Sequence, residues 1–427
     1  MQIIKYPPRD AWRQILARPE QNTDEVFDAV KAILADVKTR GDKAVTEYSE
    51  KFDKAKLFTF EVSEDEISQA ENEVSELLKQ AIEMARRNIF KFHSAQNVEY
   101  KEVETSQGVF CRQRAVAIEK IGLYIPGGSA PLFSTVLMLA IPAQIVECKE
   151  IILCTPPDSQ GKIHPAILYA AKIAGVHRVF KIGGAQAIAA MAYGTESIPQ
   201  VYKIFGPGNR YVTAAKQLVS LAGVAIDLPA GPSEVEIIAD FTAKPAFVAA
   251  DMLSQAEHGA DSQAILITNE ENLAEQVLTE INLQLAALPR RDIAAKALEH
   301  SKIILVQNLE EAVEITNEYA PEHLIISTQH PEGVADGIVN AGSIFLGNYA
   351  PESAGDYASG TNHTLPTNGF ARAYSGVNFD SFIKKITIQH ITKQGLTNLS
   401  NAIILMAENE GLQAHSNAVK VRLDEDY

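Results

Sequence analysis

The sequence predicts an α/β protein built from two Rossmann-like parallel-sheet units, with small helical segments at its N- and C-terminal ends. Two observations carry that prediction. From Glu150 onward, short β-branched runs alternate with stretches of helical period. The alternation then restarts after Gly231, so the same pattern occurs twice. Strand–helix–strand order of this kind specifies a parallel sheet covered by helices on both faces.

In the first unit the strand candidates are IILCT (151–155), RVFKIG (178–183), VYKIFG (201–206) and AIDL (225–228). Helices fit between them at Pro165–Ala174, Ala185–Tyr193 and Tyr211–Leu221. In the second, the strand candidates are VEIIAD (235–240), SQAILITN (262–269), KIILVQ (302–307), HLIIST (323–328) and SIFLG (343–347). Pro245–Glu257, Leu273–Leu288, Glu310–Tyr319 and Pro331–Asn340 have helical periodicity.

Asp24 to His93 reads as helical, because Val26, Val30, Ile33, Leu34 and Val37 recur three and four apart. Ser63 followed by Glu66 fits a capping box. This helical region is expected to pack on the second unit. The chain then divides into an N-terminal helical arm (1–23), an α/β domain split by insertion (24–123 and 232–378), the inserted α/β domain (124–231) and a helical C-terminal tail (379–427). The uncharged stretch Ala130–Val146 contains Pro131 and Pro142 and is short for a membrane span, so it reads as a buried helix.

Thirty-eight basic against 54 acidic residues give a formal charge of −16. That excess excludes the basic face a nucleic-acid binder needs and a polybasic membrane anchor. The N-terminal MQIIKYPPRDAW has no apolar run of signal-peptide length. Three cysteines, Cys111, Cys148 and Cys154, cannot make an even disulfide framework, and no CxxC occurs. They suit a reducing, cytoplasmic setting, and Cys148 and Cys154 fit core packing.

Several polar segments fall where such folds place ligands. GGAQAIAA (183–190) and GPGN (206–209) each follow a strand and open a helix, so their N–H groups could receive a phosphate. Neither completes G-x-G-x-x-G, since Tyr211 stands where a third glycine belongs, and both also fit ordinary strand-to-helix turns. In SQAEHG (254–259), Gln255 and His258 share a helix face; His258 also fits a helix C-cap. In APEHL (320–324), Glu322 and His323 suit general acid–base work, or simply a polar surface. GDYASGTNHTLPT (355–367), with Asp356 and His363, is long and polar enough for a functional loop. AENEGLQAHSNAV (407–419) places Glu410 and His415 in the tail, where they converge only if Gly411 breaks the helix. His258, Asp356 and His415 are plausible ligands for a borderline metal.

Together with IGLYIPGG (121–128) and AGPSE (230–234), these segments resemble the histidinol dehydrogenase family in order and spacing over nearly the whole chain. The resemblance implies an NAD-linked, zinc-dependent oxidation of histidinol through the aldehyde to histidine. It implies that Gln255, His258, Asp356 and His415 hold zinc, with His415 coming from the partner of a homodimer. The same residues, with Ser233, His323, His363 and Glu410, would bind the substrate. Tyr124, Gln186 and Asn209 would contact NAD, and Glu322 and His323 would be the catalytic pair. The rival readings are a zinc hydrolase, which the absence of H-E-x-x-H weighs against, and a non-catalytic binding protein.

Overall fold

The computed structural model describes residues 1–19, 24–97, 99–127, 130–229 and 231–424. Gly128 and Ala230, which belong to two of the motifs above, lie outside the described residues.

The chain opens with a strand, β1 (Gln2–Lys5), rather than a separate helical arm. Trp12 and Leu16, just after it, are buried in the same apolar cluster as Ile304 and Tyr319. A four-residue strand is too short to show a period, which is why sequence missed it. Four helices follow, Asp24–Arg40, Asp42–Phe52, Glu64–Glu73 and Glu76–Ser94. The capping box forms: Glu66 N–H donates to Ser63 Oγ at 3.2 Å, and Ser63 N–H donates to the Glu66 carboxylate at 2.9 Å. Next come β2 (Val103–Ser106) and β3 (Val109–Ala117).

The first parallel sheet contains β4 (Lys120–Tyr124), β5 (Glu150–Thr155), β6 (Arg178–Lys181), β7 (Lys203–Phe205) and β8 (Ala225–Ile226), in the order β6-β5-β4-β7-β8. The second contains β9 (Glu234–Ala239), β10 (Gln263–Thr268), β11 (Lys302–Leu305), β12 (His323–Ser327) and β13 (Ser343–Leu346). Its order is β1-β11-β10-β9-β12-β13, with every pairing parallel. Alternate residues of each strand serve opposite faces. Val235 and Ile237 join one apolar cluster while Ile238 joins the other. Ile121 and Leu123 face one way and Tyr124 the other. This two-sided burial explains the near-continuous apolar runs.

Two expectations about organisation are corrected. The N-terminal helices pack on the first sheet, not the second: Val30 and Val37 share a core with Ile152 and Phe180, and Ile82 and Ile89 share one with Ile121 and Ile151. An amphipathic stripe demands an apolar partner without specifying which one. The tail is also not wholly helical. It begins with β14 (Ile383–Ile391), which pairs antiparallel with β3 in a three-stranded sheet of order β14-β3-β2. Helices Lys393–Asn409 and Gln413–Leu423 follow. The expected buried helix is Phe133–Ile145, whose residues Ser134 to Ala143 are all buried. Among the described residues, no helix is long and apolar enough to cross a membrane.

Candidate active site

The site lies where the carboxyl edge of the first sheet meets the amino edge of the second. Parallel sheets usually bind ligands at carboxyl edges, yet Glu322 and His323 stand at the start of β12 and Ser233 directly precedes β9. The helix Pro245–Ala256 returns antiparallel to the strands, which brings Gln255 and His258 to the same amino edge. The helix Phe133–Ile145 leaves the carboxyl side of β4, and Thr135 in its first turn lies 3.0 Å from His363 Nε2. Asn362 Nδ2 donates to the Met138 carbonyl at 2.6 Å. The polar loop thereby joins the two units.

Chain geometry aims Glu322 and His323. The helix Leu309–Tyr319 ends at Ala320 with φ +55°, a conformation unfavourable for an L side chain, and the chain turns sharply into Glu322 and His323. Both side chains are buried. Glu234 N–H donates to Glu322 Oε2 at 2.8 Å. His323 Nδ1 lies 3.1 Å from the Glu234 carbonyl. A carbonyl can only accept, so Nδ1 carries a proton and Nε2 is the nitrogen turned toward the site. That Nε2 is buried without a hydrogen-bond partner and lies 3.5 Å from Asp356 Oδ1. Burial disfavours the imidazolium, but the Glu322 carboxylate and then Asp356 outweigh it and raise His323 well above the ordinary histidine range.

A candidate metal-binding group adjoins the pair. Ligand atoms of His258, Glu352 and Asp356 lie within 4.8 Å of one another. Glu352 is buried; it accepts from Ser254 Oγ at 2.9 Å through one oxygen, and the other has no partner. Burial pushes its carboxyl up to about 8 against the opposing charge of His323. Burial also works against the Asp356 carboxylate, but the facing His323 holds it below the usual range. Gln255 is buried with its Nε2 unpartnered, and a half-turn of the amide would present the carbonyl oxygen there instead. Orphaned buried donors and acceptors beside a His–carboxylate group fit the binding of a cation.

His363 Nδ1 donates to the Asp356 carbonyl at 2.9 Å, its Nε2 lies 3.0 Å from Thr135 Oγ1, and burial lowers its pKa. Glu410 and His415 are not gathered into the site within one chain. Both are exposed, on either side of Gly411 (φ +75°), which does break the tail into two helices. Sequence reasoning missed Glu352, although its position four residues before Asp356 on one helix was a readable signal.

Tyr124, Gln186 and Asn209 occupy the carboxyl side of the first sheet. Gly184 N–H donates to Tyr124 Oη at 3.0 Å, and Gln186 Nε2 lies 3.5 Å from Asp53. Asp53, raised to about 6 by burial, also lines a cleft of ≈ 610 Å³ with Pro126, Gly127, Thr155 and Pro156. GPGN forms a strand-to-helix turn, one of the two readings its sequence allowed. Gly206 N–H donates to Asp227 at 2.7 Å, and Asn209 Oδ1 caps the following helix by accepting from Tyr211 and Val212. A Cβ at Gly206 would sit 2.0 Å from the Tyr124 carbonyl, so close backbone approach requires that glycine.

Two parallel α/β units that close on a buried imidazole–carboxylate pair and an adjacent metal-competent group define an α/β protein with the layout of an active site. The chain belongs to the histidinol dehydrogenase family: the family model matches residues 16–423. It is 63% identical over 424 residues to histidinol dehydrogenase of Bacteroides thetaiotaomicron, covering 99% of each chain. It is 52% identical to that of Escherichia coli O6:H1, covering 96% of this chain and 95% of that one. The crystal structure of histidinol dehydrogenase from Elizabethkingia anophelis superposes with a TM-score of 0.97 at 56% identity, over 99% of this chain and 98% of that chain.

Proposed function

We propose that this chain is a cytoplasmic, zinc-dependent, NAD-linked histidinol dehydrogenase that oxidises histidinol to histidine through the bound aldehyde, at the end of histidine biosynthesis. The observation that carries the mechanism is the buried, unpartnered His323 Nε2 beside Glu322. Gln255, His258 and Asp356 would hold the zinc, with His415 supplied by the partner of a homodimer. Bound zinc would fix the substrate's amine and imidazole and offset the carboxylate charge around His323.

In the first oxidation His323 accepts the proton of the alcohol oxygen while hydride leaves the carbinol carbon for NAD, and the C–O bond becomes the aldehyde carbonyl. In the second, Glu322 takes a proton from water as its oxygen adds to the aldehyde. The resulting hydrate gives hydride to a second NAD and becomes the carboxylate. Ser233, His363 and Glu410 complete the substrate pocket, and Tyr124, Gln186 and Asn209 contact NAD. Tail exchange is supported by the exposure of both Glu410 and His415 in their own chain.

The test is NADH formation from histidinol by metal-depleted protein before and after zinc is added. Two NADH per histidinol, restored by zinc, is the expected result. No NADH with zinc present would overturn the reading.

A further inference from the structure

We propose that Arg18 is a positioning residue for the acid–base pair, acting through Glu234, whose main chain holds both Glu322 and His323. This inference rests on the functional reading above.

Arg18 Nε and Nη2 donate to the two carboxylate oxygens of Glu234 at 2.5 and 2.8 Å. Nη2 also donates to the Tyr319 carbonyl at 2.9 Å, and the guanidinium stacks over the Tyr319 ring at 4.0 Å. Asn368 N–H donates to Glu234 Oε1 at 2.8 Å from the far end of the polar loop. Two distant segments, at residues 18 and 368, therefore fix one buried carboxylate.

The main chain of that same residue faces the site. Its N–H donates to Glu322 Oε2, and its carbonyl accepts from His323 Nδ1. Glu234 thus sets the orientation of the carboxylate and the tautomer of the imidazole together. Arg18 also grips the chain one residue ahead of Ala320, the turn from which Glu322 and His323 depart. A bidentate guanidinium fixes orientation as well as position, which an ammonium cannot do. Misplacing a catalytic group by 1 Å can cost about 100-fold in rate.

The experiment compares zinc-loaded wild type with Arg18→Lys and Arg18→Met. Expected are kcat losses of about 10-fold and about 100-fold, with KM for NAD and zinc content within about twofold of wild type. Both proteins should melt above the assay temperature. Should Arg18→Met fail to fold, Arg18→Lys carries the test alone. Nitrogen-15 spectra of histidine-labelled protein give a readout independent of turnover. His323, assigned by its loss in His323→Asn, should be the Nδ1–H tautomer in wild type and lose that preference in Arg18→Lys. A lowered melting temperature with unchanged kcat and an unchanged His323 tautomer would overturn the proposal and leave Arg18 a purely structural ion pair. A wild type silent on histidinol whose His323 tautomer still depends on Arg18 would sink the functional reading while upholding the positioning link.

Discussion

His323 Nε2 and Asp356 Oδ1 face each other at 3.5 Å, and the imidazole nitrogen makes no hydrogen bond. The spacing places the proposed base against a proposed zinc ligand. Asp356→Ala should therefore do more than remove charge. Zinc affinity, measured by competition with a chelating dye, should fall by at least about 100-fold, and dehydrogenase activity should vanish with it. Retained stoichiometric zinc in the variant would remove Asp356 from the ligand set.

Glu322 and His323 are adjacent, yet they contact Glu234 through different atoms, and the proposed mechanism gives them separate tasks. His323→Asn is expected to slow oxidation of the alcohol by about 10²–10⁴-fold. Glu322→Gln is expected to spare aldehyde formation and slow aldehyde oxidation on the same scale. Supplying histidinol and histidinal separately measures the two steps. Equal damage to both steps by Glu322→Gln would contradict the division of roles.

The exposed tail predicts complementation between inactive subunits. In a mixed dimer of His258→Ala and His415→Ala chains, one of the two sites regains every ligand if the tail is exchanged. Random reassociation of equal amounts then restores about a quarter of wild-type activity. If each chain used its own His415, the mixture would stay inactive.

Glu236 is fully buried on β9, and burial raises its carboxyl to about 8 against the hydrogen bond from Thr316. The unfolded chain releases this proton near 4.5, whereas the folded protein keeps it. Between these values the native state binds more protons, so stability falls as pH rises. Glu236→Gln should remove that loss. The stability gap between variant and wild type should widen from pH 5 to pH 8, on the order of a few kcal/mol. Chemical denaturation at both pH values measures it, and an identical gap would show that folded Glu236 is ionised across the range.

The two parallel sheets were legible because their strands are buried on both sides and carry apolar runs that no loop would tolerate. The polar segments were legible as types of chemistry, since Glu322–His323 and Gln255–His258 each share a helix face or a turn. Convergence was not legible. Nothing local announces that a helix C-terminus at His258 and a strand start at His323 meet at one edge. Arg18 and Glu234 were invisible for the same reason, being 216 residues apart. The helices of residues 24–94 carried a clear apolar stripe but no mark of which sheet it covers. β14 was masked by the charged and polar residues of Ile383–Ile391, a strand with no buried position and therefore no apolar alternation to read.

The first strand of the chain closes the second sheet by pairing with residues 302–305. On the ribosome, β1 emerges first and finds its partner only after about 300 further residues have been made, roughly 15–60 s at ordinary elongation speeds. Through that interval β1 has no partner edge in this sheet, and Arg18 waits for Glu234 for most of it. Completion of this sheet is thus an event of late synthesis or release, and a chain stalled before Lys302 would carry an assembled first unit beside an unfinished second one.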